Sequence, residues 1–245
     1  MERVITMGFL LIFFSLASAF AEQLYWNDFE GEFLETLPHG WTRVFKGDGK
    51  AKVIADPSNP QNKIFASSDL PGLQARHDVG GAIFAVGEDS WKDYIVEYDA
   101  YFPEEFYAGV LFRFQNSEAF YMFERRSGGE KGKFDFWKHT AGNWSGFERA
   151  GVFQAEPQKW YRFRLVVKGD TFQAYGKSKA DKTPFTEKDL ILTGNDSSFE
   201  TGKFGLYALI YIDNLVIGET EEDLARLLVE PRWKFTTTWG SVKAE

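Results

Sequence analysis

Between residues 95 and 139 the chain runs through four aromatic-rich segments, IVEYDAYF, FYAGVLFRFQ, AFYMFERR and KFDFWKH, separated only by short turn signals. These signals are Pro103-Glu104-Glu105, Asn116-Ser117-Glu118 and Ser127-Gly128-Gly129-Glu130. Alternation with period two, bulky aromatic and β-branched residues and short connections are the signature of an antiparallel meander. Counting from the turns, with Gln115 opposite Ala119 and Arg125 opposite Lys133, gives two faces. Val96, Tyr98, Ala100, Phe102, Val110, Phe112, Phe114, Phe120, Met122, Phe134 and Phe136 are predicted to face a core. Glu97, Asp99, Arg113, Gln115, Tyr121, Arg125, Asp135, Trp137 and His139 are predicted on the opposite, polar and aromatic face.

The first 21 residues read differently. Arg3 precedes an apolar run from Val4 to Leu16, and Ala17, Ala19 and Ala21 offer small-residue cleavage sites, so residues 1–21 are predicted to be a signal peptide. The run is too short for a comfortable bilayer crossing. A secreted, periplasmic or extracellular protein follows as the expectation, with no membrane span in the mature chain. The remainder is long enough to bury a large core, and the absence of Cys removes disulfides, thiolate metal sites and thiol nucleophiles. A net charge of −8 argues against nucleic acid or an anionic membrane surface as partner.

Short strand patterns continue on both sides of the central run. WYRFRLVVK (160–168) alternates cleanly, and Gly169-Asp170 is a two-residue hairpin signal into Thr171. Further strands are expected near 190–192, 203–209 and 211–217. Almost no helix is predicted before residue 219, which argues for a two-sheet sandwich over 22–218. Thr220 followed by Glu221, Glu222 and Asp223 is a helix start, so 219–245 is read as a helix to about Leu228 and a tail.

An opening DFE, a central GVLFRFQ followed by a Tyr-containing strand, WYRFRLVV ending in a Gly-Asp turn, then GKFGLYAL and YIDNLVIG together resemble the concanavalin A-like lectin/glucanase superfamily. Within it, the likeness is to laminin-G-like and 3-keto-disaccharide hydrolase-like secreted domains. It covers Leu24 to Gly218. It implies an all-β jelly-roll sandwich of two curved antiparallel sheets, with a glycan held on the concave sheet. It does not imply activity, since one fold carries many functions.

Three sets of candidate residues follow. Glucanases of this superfamily carry three acids on one strand, because two carboxyls must flank the scissile bond. Here Glu97-Tyr98-Asp99 lacks the last acid, and a cross-strand pair between Glu97 and Arg113 is the simpler reading; Glu97, Asp99 and Glu124 remain the candidate acids or bases. A sugar platform is predicted from Arg113, Tyr121 and Trp137 in line across adjacent strands, extended by His139, Trp144 and Arg162, because flat rings stack on pyranose faces while polar groups bond the hydroxyl rim. Calcium is the third, with Asp28, Glu30, Asp213 and Asn214 as oxygen ligands if the first and last strands pair. The function expected is a non-catalytic carbohydrate-binding domain recognising a carbohydrate or cell-surface glycan. The alternatives are a glycoside hydrolase resembling the 3-keto-disaccharide group and an adhesion module without a small ligand.

Overall fold

The computed structural model describes residues 23–45, 50–67, 83–149 and 153–225. The expected signal peptide (1–21), the Gly80-Gly81 break and the tail beyond residue 225 lie outside the described residues. The fold is all-β, with two antiparallel sheets. The strands are β1 (Gln23–Asn27), β2 (Thr42–Phe45), β3 (Ala51–Asp56), β4 (Asn59–Ser67), β5 (Ile83–Val86), β6 (Tyr94–Tyr101), β7 (Ala108–Asn116) and β8 (Ala119–Arg125). They continue with β9 (Phe134–Thr140), β10 (Asn143–Arg149), β11 (Trp160–Lys168), β12 (Thr171–Ser178), β13 (Leu190–Asn195), β14 (Lys203–Ala208) and β15 (Tyr211–Gly218). One short helix, α1 (Glu221–Ala225), follows the last strand. Its capping is as expected: Thr220 accepts from the Asp223 amide, and the Asp223 carboxylate accepts from the Glu219 and Thr220 amides.

The eight-stranded sheet runs β13-β12-β11-β6-β15-β4-β3, with β1 also paired to β15, and the seven-stranded sheet runs β10-β9-β8-β7-β14-β5-β2. Lys168 pairs with Thr171, so Gly169-Asp170 does form the two-residue hairpin. Between the sheets lies one large core: Val96, Tyr98, Phe163 and Leu165 of one sheet pack with Val110, Phe112, Phe123, Phe136 and Leu206 of the other. Ring contacts bridge the two layers, among them Phe112 to Phe172 at 4.9 Å and Phe123 to Phe163 at 6.0 Å. This edge-on and offset packing supplies the cohesion that a Cys-free chain needs.

Two features differ from the sequence reading. Strand β6 is not part of the meander. It pairs with β11 and β15 in the eight-stranded sheet, so the Pro103 turn carries the chain from one layer to the other. The expected Glu97–Arg113 pair is therefore replaced: Glu97 binds Arg164 on the adjacent strand β11.

The second difference is the register on both sides of β8. Ala119 pairs with Asn116 rather than Gln115, and Arg125 with Phe134 rather than Lys133. A one-residue slip in register exchanges the faces of a strand. Phe112 moreover pairs with Tyr121, so three residues of β7 oppose Phe120 alone, and Arg113 takes φ 47° inside that bulge. Tyr121 and Phe123 accordingly join the core between the sheets, whereas Phe114, Phe120 and Met122, expected inside, form a second cluster with Leu111 and Tyr207. Arg125, expected outside, is fully buried. Phe134 and Phe136 face inward and Trp137 does not, as expected for β9.

Candidate functional site

The second cluster covers the outer face of the seven-stranded sheet. Its rows follow from the pairing: Leu111 opposes Met122, which opposes Trp137, which opposes Gly146. In the neighbouring row Tyr207 opposes Gly109, Gly109 opposes Glu124, and Glu124 opposes Asp135. Side chains that face each other in this way sit about 5 Å apart at Cβ. The glycines make the relief. A Cβ on Gly146 would lie 3.3 Å from the Trp137 ring, so the indole rests directly on backbone there.

The rings form a continuous floor. Tyr107 stacks near Tyr207 at 6.0 Å, Tyr207 meets Trp144 at 5.8 Å, and Trp144 meets His139 at 4.6 Å. His139 in turn stacks on Phe120 at 4.9 Å. Next to this floor opens a depression of about 330 Å³, lined by Trp137, Trp144, Tyr107, Tyr207, Glu124 and Asp135. Arg126, Ser127 and Gly128, from the loop after β8, complete the lining. Its volume and its mixture of aromatic surface with a few polar groups match those of small-ligand sites.

Electrostatically the two acids differ. Asp135 is fully buried and held by the Arg126 guanidinium, Nε to Oδ2 at 2.9 Å. Glu124 is only partly buried. Its pKa is pushed up to about 7, by burial first and then by the negative charge of Asp135, against the opposing pull of the Arg126 guanidinium. Burial and Asp135 thus favour the protonated carboxyl well above the ordinary carboxylate range. His139 is pushed the other way, chiefly by burial, which favours the neutral imidazole.

The residues predicted as one platform occupy four environments. Trp137 and Trp144 line the depression, and His139 lies buried beneath Trp144. Tyr121 sits in the core, its hydroxyl donating to Asp196 at 2.6 Å and accepting from the Phe199 amide. Arg113 is buried at the bulge and donates to the carbonyls of Lys92 and Phe199. Arg162 lies on the outer face of the eight-stranded sheet, bound to the carbonyls of Asp181 and Thr183. Of the three candidate acids, Glu124 reaches the depression. Glu97 is held by Arg164, and Asp99 by Lys179 and Asn214, both on the outer face of the eight-stranded sheet.

Tyr107, Tyr207 and Arg126 were absent from the predicted set. The aromatic GLYAL stretch and the Ser127-Gly128-Gly129 turn were visible in the sequence, but only the sheet order brings β14 next to β7.

Strands β1 and β15 do pair, as the calcium expectation required. The four oxygen ligands nevertheless do not converge, and among the described residues no group of three or more His, Asp or Glu is placed to hold a metal ion. Lysine ammonium groups stand in their midst. Lys63 Nζ donates to the carbonyls of Glu30 and Glu32 at 3.0 and 2.7 Å, and Lys179 binds Asp213 at 3.1 Å. Asn214 donates to Asp99, and Asp28 accepts from the Glu30 amide. Because the Asp213 carboxylate is met by the Lys179 ammonium, Asp213→Asn is expected to lower the melting temperature by the same amount with and without EDTA, which differential scanning fluorimetry checks.

No protein-family model and no curated protein matches the chain. Solved structures share the fold. The carbohydrate-binding module CBM66 from Bacillus subtilis superposes with a TM-score of 0.51 at 18% identity, over 73% of this chain and 95% of that one. The GH43 protein BlXynB from Bacillus licheniformis gives 0.52 at 13% identity, over 80% of this chain and 39% of that one. A xylan β-1,4-xylosidase from Bacillus halodurans gives 0.50 at 16% identity, over 82% and 40%. The chain thus spans about two fifths of these two larger proteins and nearly all of the binding module. What this chain shares with all three is a two-sheet antiparallel β-sandwich.

Proposed function

We propose that the protein is an exported carbohydrate-binding β-sandwich of the concanavalin A-like type, which takes a glycan on the outer face of its seven-stranded sheet. The observation that carries this reading is the depression itself, in which half-buried Trp137 and Trp144 present ring surface beside Glu124 and Arg126. Flat apolar faces with hydrogen-bonding groups at the edge are what a pyranose ring requires. The match to nearly all of the CBM66 module supports the binding reading. Among the described residues no helix is long and apolar enough to cross a membrane.

A hydrolytic role has one observation in its favour, the carboxyl of Glu124 poised near neutrality opposite a second acid. Against it, Asp135 is fully buried and occupied by Arg126, so it does not present an oxygen to a sugar carbon. The binding reading is tested by probing a glycan array with the purified protein, then measuring hydrolysis of every bound glycan. Binding without turnover is the expected result. Turnover would replace it with the hydrolytic reading, and an array with no bound glycan would remove both.

A further inference from the structure

The depression holds one carboxyl more than it has cations. Facing Glu124 are Asp135 and the Trp137 indole from β9, Arg126 from the loop after β8, and the Tyr107 and Tyr207 phenols from before β7 and from β14. The one guanidinium among them is committed to Asp135, and its Nη1 also reaches Glu130 at 3.2 Å. Among the described residues Glu124 forms no ion pair.

Keeping an acid in this position is costly. Desolvation disfavours its ionised form, and a Gln would offer a sugar hydroxyl one acceptor and one donor, as the protonated acid does, without that cost. The carboxyl gains most over the amide when the ligand brings a positive charge. The surrounding walls suit such a ligand, because an ammonium placed over the face of Trp or Tyr is attracted by the ring quadrupole, most strongly when desolvated. The chain's net charge of −8 would draw a cation in at long range.

We propose that the depression takes a ligand bearing an ammonium group, with Glu124 as its counter-charge and Trp137, Trp144, Tyr107 and Tyr207 as the surrounding rings. Under the carbohydrate-binding reading, on which this rests, the ligand class is an amino sugar with a free amine. Bringing the ammonium against Glu124 ionises the carboxyl, so below neutral pH, where the sugar amine is protonated, each cation bound displaces a proton and affinity rises with pH until the free amine begins to lose its own proton.

Titration calorimetry with a fully deacetylated glucosamine oligosaccharide and with its N-acetylated counterpart tests this. The amine form is expected to bind at least about tenfold more tightly, the gain of one desolvated charge pair over a neutral contact. Its affinity should rise about tenfold between about pH 5 and about pH 6, where the sugar amine stays largely protonated. Repeating the titration near pH 6 in buffers of different ionisation enthalpy should show proton release. Glu124→Gln should erase the preference for the amine form, bringing the two sugars to within about twofold of each other. The variant's fold can be followed separately. The folded carboxyl stays protonated to about pH 7 whereas an exposed one ionises near 4.5, so the variant's stability relative to the parent should grow as pH rises between those values.

Equal affinity for the two sugars, unaltered by Glu124→Gln, would overturn the ammonium inference and leave glycan binding standing. Failure of both sugars and of the whole array would overturn both.

Discussion

Replacing Arg125 with methionine is expected to lower the melting temperature by about 6–12 °C. The side chain is fully buried, with Nε donating to the Ala155 carbonyl at 2.9 Å and Nη1 to the Phe106 carbonyl at 3.0 Å. Nη2 reaches both carboxylate oxygens of Glu105, at 3.2 and 3.1 Å, and the guanidinium lies 5.1 Å from the Phe102 ring centre. One cation thus joins the loop before β7, the end of β8 and the segment leading to β11. Methionine fills much of the volume but donates nothing, which strands two carbonyls and a carboxylate. Breaking a buried pair from one side costs about 3–5 kcal/mol. Glu105 retains some solvent access, which puts the expected cost at the lower end, about 3 kcal/mol. In a domain of this size each kcal/mol moves the midpoint by about 2–4 °C. Lys159→Met provides the comparison, because the Lys159–Glu156 pair is exposed on both sides and should contribute almost nothing. If the two variants melt together, Arg125 does not tie these segments.

Trp137→Ala is expected to weaken glycan binding by about thirtyfold or more, the usual consequence of truncating an aromatic anchor worth about 2 kcal/mol. The indole lies on the bare backbone of Gly146 and opposes Met122, so its removal erases one wall of the depression without opening the core between the sheets. Trp137→Phe should recover part of the loss, since a smaller ring still offers an apolar face. Trp160→Ala is the positional control. Trp160 belongs to the eight-stranded sheet, where it contacts Tyr101 and Lys179, and its loss should leave affinity unchanged. Isothermal titration of the three variants decides the matter: a Trp160 effect as large as the Trp137 effect would place the ligand on the wrong sheet.

The strands of this protein were legible because alternation survives wherever one face is polar. In β11 the arginines at 162 and 164 lie outward and Tyr161, Phe163, Leu165 and Val167 inward, as the pattern required. Strand β9 was equally clear, with Asp135, Trp137 and His139 set against Phe134 and Phe136. Strand β8 was not. Phe120, Tyr121, Met122 and Phe123 are all buried, half beneath the second sheet and half beneath the aromatic floor, so period two carries no direction there. The count from the turns failed by one residue at each, Asn116 rather than Gln115 opposite Ala119 and Phe134 rather than Lys133 opposite Arg125, and no residue type in FRFQ announces the bulge at Arg113.

The two-sheet class, the Gly169-Asp170 hairpin, the capped final helix and the outward placing of Trp137 were therefore set by local chemistry, because each depends on residues close together in the chain. The partners of Trp137 were not. Tyr107 and Tyr207 reach the depression because β14 lies beside β7, and Glu97 and Asp99 leave it because β6 lies in the other sheet. Sheet order is a choice among long-range pairings that bury similar apolar surface, and it is decided by how the whole set of strands packs rather than by any one of them.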